Sequence, residues 1–141
     1  MKIALTGNIC SGKSYLANLL AKKYNLEIYS FASKIKEIAV DLFKMENKDR
    51  KLLQNIADKM KEIDKDIWIK YVLADIGEKK NVIIDDLRFE NELNYLRQNG
   101  FITIRLKVPE EERISRIKNL YPSNYQQHIE GSKHNSEVNV N

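Results

Sequence analysis

Cysteine is almost absent from this sequence: Cys10 stands alone in 141 residues. An intrachain disulfide is therefore impossible, and so is a cysteine-based metal site. Histidine is nearly as scarce. His128 and His134 both fall near the C-terminal end, which speaks against a zinc site and leaves them as expected members of a mobile tail. No apolar run approaches the length needed to cross a bilayer. The stretch Met1 to Thr6 is too short for a secretory leader. The expected setting is the cytosol, which for a viral protein is the host cytoplasm. Internal repeats, low-complexity blocks and interdomain linkers are also missing.

What remains is an ordinary globular balance. Hydrophobic residues make up 43% and charged residues 31%, a composition that buries a core and is not that of a disordered chain. The length suits one domain over residues 1–141. Net charge is +4 and the pI is about 9.0. That excess suits anionic ligands such as nucleotides. It is weak support for nucleic-acid binding, because the basic residues are interleaved with Asp and Glu. No membrane or nucleic-acid partner is expected.

Period and punctuation give the elements. Lys2 to Thr6 reads as a buried strand, followed by a helix over 13–24 with Leu16, Leu19, Leu20 and Tyr24 on one face. Leu26 to Tyr29 is a candidate short strand. A helix over 33–43 carries the stripe Ile35, Ile38, Ala39, Leu42 and Phe43. Asn47 is the expected N-cap of a helix bearing Leu52, Leu53, Ile56, Ala57 and Met60. Asp64 or Asp66 caps the next, with Ile67, Trp68, Tyr71 and Val72 inward. Val82-Ile83-Ile84 has the wholly apolar look of a central parallel strand. A helix over 89–98 stops at Asn99-Gly100, and Phe101 to Val108 alternates as a strand. Pro109 opens a helix with Glu110, Glu111 and Glu112 in its first turn, where proline and acids are both favourable. From Tyr121 onward the pattern fades. Strands alternating with helices imply an α/β fold: a short parallel sheet of four to five strands with helices on both faces.

The chemistry starts in the turn after the first strand. Gly7-Asn8-Ile9-Cys10-Ser11-Gly12-Lys13-Ser14 has the spacing of a phosphate-binding P-loop, between a strand and a helix that opens through Lys13, Ser14 and Tyr15. Backbone N–H groups of such a loop wrap phosphates, and glycines stand where the chain needs positive φ or close approach. The helix points its positive end at the anion. Lys13 then reaches the β- and γ-phosphates, and Ser14 offers a hydroxyl to Mg²⁺. Chance alone produces the pattern in ~0.5% of chains of this length. A plain glycine-rich turn is the alternative. Cys10 reads as a spacer.

A second site candidate closes the apolar run at 82–84. Asp85 and Asp86 sit at the carboxyl end of that strand, the edge where ligands bind in such sheets. Either can hold Mg²⁺, with Asp86 slightly preferred; two acids capping the next helix is the alternative. Arg88 follows, either as a bidentate phosphate contact or as a helix ion pair with Glu92. Arg113 and Arg116 share one helix face, either over a phosphoryl group or answering the glutamates before them.

These strings, taken in order, resemble a known family. They are the loop Gly7 to Ser14, then Phe31-Ala32-Ser33-Lys34-Ile35-Lys36-Glu37 and Arg50-Lys51-Leu52-Leu53-Gln54. Trp68 follows, then Asp85-Asp86-Leu87-Arg88-Phe89-Glu90-Asn91-Glu92 and His134-Asn135-Ser136-Glu137. The chain is similar to the deoxynucleoside monophosphate kinases of bacteriophages and related viruses. The resemblance implies transfer of the γ-phosphate of ATP, with Mg²⁺, to a deoxynucleoside monophosphate. It implies an acceptor-binding helical insertion at about 31–78, with Lys34, Arg50, Gln54, Trp68 and Arg88 as candidate contacts. Solvated helix positions remain the alternative for Lys34, Arg50 and Gln54, and core for Trp68. It also implies a lid-like helix at about 109–121, with Arg113 and Arg116 beside Lys13 and Asp86 as the catalytic set. Homodimers are common among such proteins. Two departures stand out. Ser14 replaces an aspartate common in relatives, and the similar proteins continue beyond the His-x-Ser-Glu segment with another strand and helix. A four-stranded sheet is therefore expected, whether minimal, truncated or completed by a partner.

A phosphate acceptor is already anionic and needs no general base, whereas a neutral hydroxyl acceptor needs Asp86 or Asp85 to take a proton. Dephospho-coenzyme A and a polynucleotide 5′-end are acceptors of that second kind. A nucleotide-binding module without turnover is the third alternative.

Overall fold

In the computed structural model, which describes residues 1–131, the apolar runs become four strands in the order β2-β3-β1-β4. β1 (Lys2–Gly7) lies parallel between β3 (Val82–Leu87) and β4 (Ile102–Leu106). β2 (Glu27–Tyr29) is the short strand beyond β3. Ile3, Leu5 and Ile83 point to one face, where they meet Ala17 of the helix α1 (Lys13–Tyr24), Leu26 and the flanking Leu16, Leu20, Ile104 and Leu106. Ala4, Val82 and Ile84 alternate to the other face and are fully buried there. Burial on both faces explains why β1 and β3 read as unbroken apolar runs. Each such Leu or Ile side chain contributes about 1.5–3 kcal/mol on leaving water.

The chain divides into two compact units. The first comprises Met1–Ile28 and the chain from Lys80 onward. It holds the sheet, α1, α5 (Glu90–Gln98), α6 (Glu110–Leu120) and α7 (Tyr125–Gly131). The second, Tyr29–Lys79, is helical: α2 (Phe31–Phe43), α3 (Arg50–Ile63) and α4 (Ile67–Ile76) pack on one another. Its core gathers Phe31, Ala39, Ile56, Trp68, Ile69, Val72 and Ile76. Its two ends are tied together, since the Lys79 ammonium donates to the Tyr29 hydroxyl at 2.6 Å.

Several boundaries move for identifiable reasons. α2 begins two residues earlier than expected, because Ser30 caps it by accepting from the Ala32 N–H at 3.2 Å. Asp49, not Asn47, caps α3, accepting from the Leu52 N–H at 3.0 Å. Asp66 takes the N-cap position of α4 without its side chain capping the helix, while the Asp64 carboxylate accepts the Asp66 N–H. Leu19 and Tyr24 of α1 and Leu42 and Phe43 of α2 are exposed, so both apolar stripes are narrower than their spacing predicts. Tyr71 is also partly exposed, and Ile69 takes the inward position beside Trp68.

The largest correction concerns the C-terminal stretch. His128 is not in a mobile tail. It is buried in α7, its ring stacked on Tyr121 with centroids 3.7 Å apart. His134 and the segment Asn135-Ser136-Glu137 lie outside the described residues. Among the described residues no helix is long and apolar enough to cross a membrane.

Candidate active site

The loop after β1 owes its shape to three residues at positive φ. Gly7 (φ 152) ends the strand so close to β4 that an added Cβ would stand 2.7 Å from both the Leu106 carbonyl oxygen and the Ser11 hydroxyl. Cys10 (φ 60) occupies the left-handed region without being glycine, and Gly12 (φ 92) turns the chain into α1. The Ser11 N–H closes the turn on the Asn8 carbonyl at 3.1 Å. No side chain caps α1 at its N-terminus, its first turn holds no acid, and its last turn carries Lys22 and Lys23. The uncapped N–H groups and the positive end of the helix are what an anion needs.

Lys13 folds back over this loop, its ammonium bonded to the Gly7 carbonyl and, at 2.9 Å, to the Asn8 carbonyl. Ser14 and Tyr15 are exposed on the first turn of α1, while Ile9 and Cys10 are half-buried. Ser11 is buried, and its hydroxyl makes no hydrogen bond among the described residues. A buried hydroxyl left in that state costs about 1–3 kcal/mol.

β3 runs past its expected end and takes in both aspartates. Its register with β1 shifts there: Ala4 pairs with Ile84 and Thr6 with Leu87, so Asp85 and Asp86 together oppose Leu5. A bulge of this kind re-aims side chains at the end of a strand. Both aspartates are half-buried. Among the described residues no three His, Cys, Asp or Glu side chains gather closely enough to hold a metal ion.

Arg88 is exposed just beyond β3. Glu92 is buried and turns its carboxylate to the backbone, accepting the Arg88 and Phe89 N–H groups at 3.1 Å each, which caps α5. On α6 the two arginines separate. Arg113 is 5% exposed and forked onto Glu110, with Nε 2.9 Å from one carboxylate oxygen. Arg116 bridges Glu112 and the loop itself, donating to the Cys10 carbonyl at 3.1 Å. The glutamate pairing and the approach to the loop thus coexist. A cavity of about 190 Å³ lies beside the loop, lined by Asn8, Ser11, Arg105, Leu106, Lys107, Val108 and Arg113. Arg105 and Lys107 were not legible as site residues, since an alternating strand with charged positions is the ordinary pattern of a sheet edge.

The remaining candidates belong to the helical unit. Lys34 pairs with Glu37 at 3.0 Å and lies over the Tyr71 ring. The bond to Glu37 holds its ammonium above the usual lysine value. Arg50 and Gln54, one turn apart at the start of α3, are both exposed. Trp68 is 6% exposed, with its indole N–H on the Ala57 carbonyl at 3.3 Å. Of its two readings, core is the one this geometry describes.

No curated protein matches the sequence. Solved structures do share the fold. A gluconokinase from Sinorhizobium meliloti 1021 aligns with a TM-score of 0.56 at 15% identity, over 92% of this chain and 73% of its own. A shikimate kinase from Bacteroides thetaiotaomicron aligns with a TM-score of 0.55 at 18% identity, over 93% and 78%. An uncharacterized protein from Eubacterium ventriosum ATCC 27560 gives 0.57 at 19%, over 94% and 69%. The fold is the one shared with these kinases. A family profile described as an AAA domain runs over residues 3–138, almost the entire chain, and the protein therefore belongs to the AAA domain family.

Proposed function

We propose that this protein transfers the γ-phosphoryl group of ATP to a deoxynucleoside monophosphate. The observation that carries the phosphotransfer reading is the loop: an uncapped helix N-terminus, two positive-φ glycines and Lys13 held at the loop carbonyls. A triphosphate fits that donor set, since its oxygens accept from N–H groups and an ammonium. Mg²⁺ fits as well. The Ser14 hydroxyl and one carboxylate of Asp85 or Asp86 are hard oxygen donors, and Mg²⁺ is commonly held by one or two protein oxygens with substrate phosphates completing its shell. When bound, it neutralises charge developing on the transferred group.

The chain's own residues supply the rest. Lys13 exchanges its carbonyl partners for phosphate oxygens. Arg116, already bonded to the loop, answers added negative charge, while Arg113, paired with Glu110, lines the cavity beside the loop. The acceptor reading rests on the residue strings around Lys34, Arg50, Gln54 and Asp85 to Glu92. A monophosphate acceptor is anionic near neutral pH, so Asp86 need not take a proton and positioning suffices.

A hydroxyl acceptor is the second reading. The fold is shared with a gluconokinase and a shikimate kinase, and one fold hosts many activities. The test is ADP release with ATP, Mg²⁺ and each deoxynucleoside monophosphate in turn, with Lys13→Ala as blank. Turnover with at least one acceptor, absent in the variant, is expected. Turnover confined to hydroxyl acceptors, or none with any acceptor, would overturn the proposal.

A further inference from the structure

Within the helical unit α2 packs against α4, and there one cation stands between two unlike neighbours. The Lys34 ammonium of α2 is bonded to the Glu37 carboxylate, one turn along the same helix, at 3.0 Å. It also lies over the Tyr71 ring of α4, 5.5 Å from its centre. Trp68, Ile69 and Val72 form the buried face of α4. Tyr71 follows Trp68 by three residues and so shares its side of the helix. Yet Tyr71 is 37% exposed where Trp68 is 6% exposed. Its ring stands at the rim of the core, within reach of solvent and of the lysine together.

The two neighbours respond differently to an incoming anion. Glu37 competes with it, because a phosphate that takes the ammonium must displace the carboxylate. Asp41, a further turn along α2, adds negative charge near Lys34. The Tyr71 ring carries no net charge and attracts the ammonium through its quadrupole. It holds a cation paired with phosphate as well as one paired with Glu37. A lysine stem has much rotamer freedom, which binding must otherwise restrict. A ring contact that persists through the exchange keeps the stem ordered before and after.

We propose that Tyr71 is a positioning residue, whose ring holds the Lys34 ammonium in place as it leaves Glu37 for the phosphate of the acceptor. This role rests on the deoxynucleoside monophosphate reading, with Lys34 as an acceptor contact. It gives Tyr71 itself no contact with the substrate.

The experiment is steady-state kinetics of the whole chain at saturating ATP. The parent is compared with Tyr71→Phe, Tyr71→Leu, Lys34→Gln and the double variant Lys34→Gln/Tyr71→Leu, with circular dichroism verifying each fold. Tyr71→Leu is expected to raise KM for the deoxynucleoside monophosphate about two- to fivefold, the size of an exposed cation–π contact, with kcat nearly unchanged. Tyr71→Phe keeps the ring face and should match the parent. Lys34→Gln should raise the same KM, and adding Tyr71→Leu to it should change nothing further. A second measurement decides the matter if Tyr71→Leu does not fold. The NMR signal of the Lys34 ε-methylene in the parent, assigned against Lys34→Gln, should keep its ring-current displacement when the acceptor saturates the protein. Unchanged KM in Tyr71→Leu or in Lys34→Gln would overturn the role of Tyr71. So would an equal loss in Tyr71→Phe, a full effect of Tyr71→Leu without Lys34, or disappearance of the displacement on saturation. A parent that turns over no deoxynucleoside monophosphate would overturn the acceptor reading itself, and this role with it.

Discussion

Gly7 and Lys13 show how differently two neighbouring loop residues act. Gly7 is required by space and by φ. Gly7→Ala places a methyl group 2.7 Å from the Leu106 carbonyl oxygen and the Ser11 hydroxyl, and about 1–3 kcal/mol of stability should be lost. Urea unfolding measures it, and an unchanged midpoint would contradict the close approach. Lys13 is required by charge instead. Its bonds to the Gly7 and Asn8 carbonyls are replaceable by water, so Lys13→Ala should leave the unfolding free energy in urea within about 0.5 kcal/mol of the parent. Its turnover should fall by about 100-fold or more, as when a preorganised charge is removed. Both residues were legible, because the P-loop spacing dictates their types. Ser11 was legible as a loop member, but its burial and the empty bond at its hydroxyl were not, because they depend on how the loop folds back against Gly7, where β1 ends beside β4. Trp68 was ambiguous for a similar reason: an apolar helix face does not say whether a ring fills a core or faces a ligand. Its indole bond to Ala57 predicts a folding phenotype, with Trp68→Ala losing about 3–5 kcal/mol. A stable variant with raised KM for the acceptor would reverse that reading.

Helix starts were the least legible elements. Asn47 and Asp49 are both good capping residues, and only the chain's entry into α3 selects Asp49. Asp49→Ala should lose about 1 kcal/mol and Asn47→Ala almost nothing, by chemical denaturation of each. β3 was found by its apolar run but not to its full length, since the shift that sets Asp85 and Asp86 together against Leu5 leaves no mark in hydrophobic periodicity. α7 was missed altogether. Seven residues carry too little period, and its anchor is the stacking of His128 on Tyr121, a contact between elements. Ahead of α4, Lys70 and the Asp66 N–H both bond the Asp64 carboxylate and hold it below the usual aspartate value, Lys70 foremost. That contribution is complete above the unfolded aspartate value near 3.8 and fades as pH falls through the lower folded value. Lys34 has the opposite sign. Its pairing with Glu37 raises it above 10.5, so its contribution is whole below that pH and lost as pH climbs through the folded value. Asp64→Asn should flatten the acid limb of stability against pH and leave the alkaline limb unchanged. Added salt should shrink both effects, since both groups are partly open to solvent.

The order β2-β3-β1-β4 puts the first strand in the interior of the sheet. Its carboxyl end, the loop, therefore has a strand on either side, and β3 brings Asp85 and Asp86 to the same edge. The shared carboxyl edge follows from reading the strands as parallel, and the α/β reading captured it; the strand order was not legible, because periodicity does not say which strands are neighbours. The division at Tyr29 and Lys79 has a practical use. The sole tryptophan, Trp68, belongs to the helical unit, so its emission follows that unit, whereas the loop belongs to the other. ADP at about 100 times its Kd should stabilise the protein by about 2.7 kcal/mol, and Lys13→Ala should remove most of that gain. Thermal melts with and without ADP check this. Cys10 offers a complementary readout. The chain has a single thiol, and it lies inside the phosphate loop with its side chain half-buried. A maleimide can modify only that position, so the rate of alkylation becomes a footprint of loop occupancy. Nucleotide should slow it, and one mass-spectrometric adduct would count the molecules whose loop stood open.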